Sequence, residues 1–368
     1  MSRRAWELAL PTGLVVLLAF VPKISADIPK LFNGPLNSPG TLQLLALCLL
    51  FGGVALTYDL LFGYTGLLSF GHAFYFAVGV YFTAIALTKW HWGFGPSLLF
   101  VAALGLVLPA LIGAVSLRVG GIAFAMVTLA VAQVGAVLVI KNPRDWTGGE
   151  EAFGTDYAQL PDAFVGVLNT KNLYWLALVY AVAVFLIVRW AVESAPGRIW
   201  QAIRENEQRV EVLGLHPHRY KLMAFVLSSF LATAGGVVYL LLQTGPTPHV
   251  TSADFTLTLL IMVVLGGAGT KWGAMIGGVL YTYLNNRLGA IGDSSLVQGL
   301  PDVLRTPLSE PLFLLGTLFI LIVFFAPGGI TGLATHGRRP SSLRRMDAAL
   351  RTERAEVTAP VQTTEEGA

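Results

Sequence analysis

Charge is scarce in this 368-residue chain: Asp, Glu, Lys and Arg together supply 12% of it, against 55% hydrophobic residues. An ordinary soluble domain carries about 25% charged residues, so that class is excluded. Cysteine is nearly absent as well. The single Cys48 lies within an apolar run, which rules out an intrachain disulfide and leaves a packing thiol. No phosphate-cradling fingerprint occurs. The nearest approach, LGGAGTKWG at 265–273, has Thr270 before Lys271 and Trp272 after it, whereas a Walker A loop needs Gly-Lys followed by Ser or Thr. No metal-spaced His and Glu cluster and no Ser, His and Asp set falls on one face, so no metal, no cofactor and no catalytic residue is expected, and nothing points to nucleic acid. Carboxylates are missing from the depths of 121–140, 172–191, 220–242, 273–284 and 311–326, while Glu7, Asp59 and Asp254 fall near predicted span ends. An ion-coupled carrier needs buried acids for its driving ion, so it ranks as an alternative only.

What the chain does have is apolar runs of the roughly 20 residues that cross a bilayer core of about 30 Å. The expected fold is all-α, a polytopic helical membrane protein. Spans fall at about 5–21, 41–58, 67–88, 97–117, 121–140, 172–191, 220–242, 255–267, 273–290 and 311–326, ten in all. The first, behind MSRR, reads as a retained span, with Ser25 and Ala26 giving a secretory cleavage site as the competing reading. The eighth is short for a full crossing.

One charged island interrupts the oil: SAPGRIWQAIRENEQRVEVLGLHPHRYK at 194–221. Ser194 can cap a helix, Pro196 suits its first turn, Gly214 can close it and Pro217 forbids continuation, which predicts one helix over 194–213. Ile199, Ala202, Ile203, Val210 and Leu213 recur at helical spacing as an apolar stripe. With this helix in the cytosol and ten spans, both termini are cytoplasmic and 16 of the 24 Lys and Arg residues lie inside, as the positive-inside rule requires.

Two outward segments exceed simple connectors. Residues 141–171 carry three basic and five acidic side chains and read as a docking surface and pathway lid, and 285–310 suits a short interfacial helix. The transmembrane unit is expected over 1–336, with 337–368 a disordered cytoplasmic tail whose arginines lie against anionic lipid.

Glycine-rich breaks mark the interior. In GYTGLLSFGH, Gly63, Gly66 and Gly71 weaken the helix and free backbone groups, tolerable at membrane depth only in protein or around a wet cavity. Tyr64, Thr65, Ser69 and His72 stand beside them, and packing and pathway lining are both open readings. Ser69, Ala73 and Ala77 form a small-residue ridge. Gly266, Gly267, Gly269 and Thr270 make the second break, after which Gly273 and Gly277 have the spacing of close helix contact.

Taken together, GYTGLLSFGHAFYFAVGVY at 63–81, GRIWQAIRENEQRVEVLGL at 197–215, YKLMAFVLSSFLATAGGVVY at 220–239, VVLGGAGTKWGAMIGGVL at 263–280 and APGGI at 326–330 resemble the LivM-type permease of branched-chain amino acid ABC importers, over about residues 40–333. The resemblance implies a second, LivH-type permease subunit, two cytosolic ABC ATPase subunits and a periplasmic or lipid-anchored substrate-binding protein, in a bacterial inner membrane. It implies an ATPase-coupling element carrying Gly197, Arg198, Ala202, Ile203, Arg204, Glu205, Asn206 and Gly214, its apolar stripe seated in a groove of the ATPase. It implies a translocation pathway near the two breaks, and binding-protein docking at Thr147, Gly148 and Gly149, although the acidic continuation from Glu150 departs from many relatives. The implied solute is a branched-chain or other hydrophobic amino acid, with urea or a short amide as the alternative.

Overall fold

The computed structural model describes residues 13, 15–25, 32, 34–151, 153–166, 169–243, 245–270, 272–292, 311–326 and 328–335. Among them there is no strand, and the helices follow in this order: α1 (Pro39–Asp59, continued by a π-helical turn Leu60–Thr65), α2 (His72–Thr88), α3 (Phe94–Ser116), α4 (Gly121–Lys141), α5 (Thr170–Glu193), α6 (Ala195–Glu205), α7 (Glu207–Val212), α8 (Pro217–Gln243), α9 (Ala253–Gly266), α10 (Gly273–Gly292), α11 (Pro311–Phe325) and α12 (Gly329–Thr335). Among the described residues, five helices are long and apolar enough to cross a membrane: α1 with its π turn, α3, α4, α5 and α8. The chain is a polytopic helical membrane protein. Of the expected first span only its later part is described, helical at 15–20. The expected interfacial helix beyond residue 292 and the tail from 337 lie outside the described residues.

A helix that is apolar on every side belongs in the middle of a bundle. That is α1, which packs along α5 and α10 and also meets α8 and α9; Leu42, Leu50, Leu56 and Tyr58 on it are wholly buried. The edge is formed by α3 and α4, which turn Leu99, Val115, Ile122 and Val134 outward at 62–83% exposure. Apolar surface on that scale meets lipid or another membrane subunit, since in water it would drive aggregation. Small residues set a close contact between α2 and α8, where a Cβ on Gly236 would stand 2.1 Å from the Phe76 carbonyl oxygen. The Thr233 hydroxyl donates to the Tyr75 carbonyl at 3.0 Å in the same seam.

Three expectations need correction. The second span does not end at residue 58, nor does the third begin at 67. The first of them runs on to Thr65, and α2 starts only at His72, so Ser69 is not on a helix and the proposed Ser69, Ala73, Ala77 ridge does not exist as a helix face. The eighth span is a half-crossing: α9 has 14 residues, about 21 Å long. Its start lies at mid-depth, where Phe255 packs on Phe51 and Phe76 with ring centroids 6.0 and 5.0 Å apart. The charged island forms two helices, because Asn206 is extended at φ −162° and ψ 106° and its side chain caps α7 by accepting the Arg209 N–H at 3.0 Å.

At the face away from α6, Trp90, Trp92, Trp146 and Phe100 form one aromatic cluster, as suits a membrane–water boundary. The 142–169 connection folds back over this end. Leu160 packs with Leu87 and Leu241, and the Asp156 N–H donates to the Thr88 hydroxyl at 3.0 Å. Gly236→Ala should destabilise the folded chain by about 1–3 kcal/mol through overpacking against α2, read as a lower thermal midpoint in detergent, whereas Gly316→Ala, with no neighbour within 4 Å of the added carbon, should leave it unchanged.

Candidate functional site

The two glycine breaks and the charged island converge. The π turn ends at Gly66, left-handed at φ 76°, and the last carbonyls of any helix lack intrahelical donors. One donor arrives from another element: Arg204 on α6 donates through Nη1 to the Gly63 carbonyl oxygen. A guanidinium here both caps the helix and meets the negative end of its dipole. The second break supplies the third wall. The Gly269 N–H donates to Asp59 Oδ1 at 2.8 Å. Only glycine fits at 63, because a Cβ would stand 1.9 Å from Asp59 Oδ1 and 2.3 Å from the Gly269 nitrogen.

Asp59 was expected near a span end and is instead wholly buried in this junction, since the helix continues past it. The sequence offers one signal for it: an acid four residues before a glycine in an apolar run. Gly266, Gly267 and Thr270 shape the turn itself. The Thr270 hydroxyl donates to the Gly267 carbonyl at 2.7 Å, and the Thr331 hydroxyl on α12 donates to the Gly266 carbonyl at 2.8 Å.

Residues 67–71 run back into the bundle as non-helical backbone, and protein satisfies them. The Phe70 N–H donates to the Thr128 hydroxyl at 3.1 Å, and the Ala73 N–H donates to the Thr256 hydroxyl at 3.1 Å. The Gly71 N–H donates to the Ser69 hydroxyl at 3.3 Å. His72 is buried with Nε2 2.9 Å from the Thr57 hydroxyl and its ring edge against Tyr58. Thr65 turns its hydroxyl to the Leu60 carbonyl at 2.8 Å. Of the side chains expected to line a pathway, Tyr64 borders a small cavity shared with Phe185 and Glu193. A larger polar cavity of about 460 Å³ opens at the opposite face between Ser38, Thr41, Gln43, Gln243 and Arg287.

On the island, Ser194 accepts the Gly197 N–H at 3.4 Å and Gly214 closes α7 at φ 79°, both as the sequence indicates. The expected apolar stripe is split, with Ala202 and Leu213 outward and Ile203 and Val210 inward. Ile203 and Val210 are buried against the chain's own helices, together with Trp200, whose indole N–H donates to the Tyr220 carbonyl at 2.8 Å. Glu207 pairs with Lys221 and ties α7 to α8. Outward remain Arg198, Ala202 and Glu205, with Val212 at 88% and Leu213 at 77% exposure.

At the opposite face, Thr147, Gly148 and Gly149 form a brace. The Thr147 and Gly148 N–H groups donate to the Asn142 side-chain oxygen at 2.8 and 3.1 Å, and the Thr147 hydroxyl donates to the Val139 carbonyl at 2.7 Å. Gly149 is buried, while Arg144, Asp145, Glu150 and Glu151 face outward. Asn142 was missed, although an asparagine just past a helix end is a common left-handed stop, and it sits here at φ 45°.

The family model for the branched-chain amino acid transport system / permease component matches residues 40–324. The high-affinity branched-chain amino acid transport system permease protein LivM of Escherichia coli (strain K12) is 24% identical over 315 residues, covering 80% of this chain and 70% of that protein. The probable LivM of Methanocaldococcus jannaschii is 27% identical over 158 residues, 42% of this chain and 45% of its own. The autoinducer 2 import system permease protein LsrC of Klebsiella pneumoniae is 31% identical over 158 residues, 39% of this chain and 42% of its own. No solved structure matches. Because the family match runs from the start of α1 into α11 and includes the whole junction of Asp59, Gly63, Arg204 and Gly269, the chain belongs to the branched-chain amino acid transport permease family.

Proposed function

We propose that this chain is the membrane-spanning permease subunit of an ABC importer, working in a bacterial cytoplasmic membrane with partner ATPases and a substrate-binding protein. It catalyses no chemistry of its own. The observation that carries the reading is the Arg204–Gly63 contact, which fastens a water-facing helix to the ends of two membrane helices. Force applied to α6 and α7 from outside the membrane then reaches α1 and α9 as rigid-body movement. The α6 face is the cytosolic one in this reading, and both termini lie on that side.

The surface left for an ATPase is Arg198, Ala202 and Glu205 with Val212 and Leu213 as its apolar centre. Interface energy concentrates in such central, fully covered residues. A second permease subunit of the LivH type fits against the outward faces of α3 and α4, and lipid takes the remainder. The binding protein meets the acidic rim of Asp145, Glu150 and Glu151, which the brace of Asn142, Thr147, Gly148 and Gly149 holds in place.

The solute we favour is a branched-chain amino acid, on the LivM relatives. The LsrC relatives, named for autoinducer 2 import, support a second reading in which this scaffold passes another small polar solute selected by its binding protein. Glycine substitutions in the two breaks act, on this reading, on movement more than on solute contact.

In proteoliposomes holding the assembled complex, uptake of radiolabelled leucine should require ATP on the ATPase side and ignore an imposed proton or sodium gradient. Gradient-driven uptake by this chain alone would overturn the proposal. Leu213→Asp should cut ATPase copurification at least about tenfold, the loss of one hot-spot residue, with membrane insertion unchanged because the residue is 77% exposed. Reversing charge at Glu150 and Glu151 to Lys should lower uptake at limiting binding-protein concentration, more at low salt than at high, and leave ATPase copurification as in the unaltered chain.

A further inference from the structure

At the junction of α1, α6 and the 267–270 turn, one carboxylate uses half of its hydrogen-bonding capacity. Asp59 Oδ1 accepts the Gly269 N–H, whereas Oδ2 is buried without a hydrogen-bond partner. A buried charged oxygen without a donor is costly, and structures retain one where something else uses it. The nearest strong donor is one contact away. A Cβ placed on Gly269 would stand 2.7 Å from Arg204 Nη1 and 2.8 Å from the Gly63 carbonyl oxygen, and a Cβ on Gly63 would touch Asp59 Oδ1. Arg204 therefore has two acceptors side by side, a neutral carbonyl that it holds and an ionisable oxygen that it does not. Its stem lies across Gly66, where an added Cβ would stand 3.1 Å from Arg204 Cγ, so the side chain that reaches Gly63 also runs along the end of the π turn.

We propose that Asp59 is the second seat of Arg204, so that the pair forms a two-position latch. With α6 placed as it is here, the guanidinium caps Gly63; with α6 displaced, it moves to Asp59 Oδ2 and grips α1 and the α9–α10 turn together through the carboxylate. Asp59 is then a positioning residue for transport and touches no solute. This rests on reading α6 and α7 as the ATPase-facing element.

The test compares solute carried per ATP hydrolysed by the full complex in proteoliposomes. Asp59→Asn keeps an oxygen for the Gly269 N–H, so a purely structural brace predicts an unchanged ratio. The latch predicts a ratio about tenfold lower in Asp59→Asn and in Arg204→Gln, with ATP hydrolysis and assembly retained, and a double variant no worse than the poorer single one, since the two residues act as one unit. An unchanged ratio in Asp59→Asn, or losses that multiply in the double variant, would overturn it. Should either variant fail to assemble, a cysteine pair at 59 and 204 gives an independent measure: oxidative cross-linking should differ about threefold between nucleotide-free and nucleotide-trapped complexes, and equal yields would overturn the latch. If the unaltered complex shows no ATP-driven uptake, the importer reading falls and the latch with it; if it couples and Asp59→Asn couples equally well, the latch alone falls.

Discussion

Inside an apolar slab, every peptide group freed from a helix must find a partner in protein, and that requirement shapes this chain more than any single packing contact. Three helices break within the bundle or end at its edge in places where water cannot serve them. Thr128, Thr256 and Ser69 take up the N–H groups at residues 70–73, and Asp59 takes up that of Gly269. Arg204 supplies the donor that the Gly63 carbonyl lacks. Each of these partners lies on a different element from the group it serves, except Ser69. Satisfying the backbone thus welds elements together, and the welds cluster where α6 touches the membrane unit.

The glycines take their meaning from the same geometry. At Gly63 two backbones and the Asp59 and Arg204 side chains share a space with no room for a methyl group. Most residues of the two glycine breaks are buried in protein, between the water-facing helix and the half-length α9, with Gly66 exposed.

The class and most helix positions are legible in the sequence because long apolar runs and Lys and Arg placement are strong, local signals. Ser194, Gly214 and Pro217 mark the ends of the charged island correctly for the same reason. Tertiary facts are not legible that way. The sequence pattern gives Ile203 and Val210 an apolar stripe but cannot say which partner it covers, and the chain's own α5 and α8 claim it. Asn206 looks like any polar residue of a helix until its side chain is seen capping α7. Asp59 sits one residue past an estimated span end, and only the π-helical continuation reveals that the carboxylate is buried. Asn142 holds the Thr147–Gly149 brace through a bond pattern that no spacing rule encodes.

The exposed pair Val212 and Leu213 also bears on the life of the chain before assembly. Released from synthesis without a partner, the subunit holds a greasy tip in the aqueous compartment, fixed on a capped helix and unable to fold away. Such a tip keeps apolar surface in water until something covers it, and an exposed apolar patch is a surface on which chains associate.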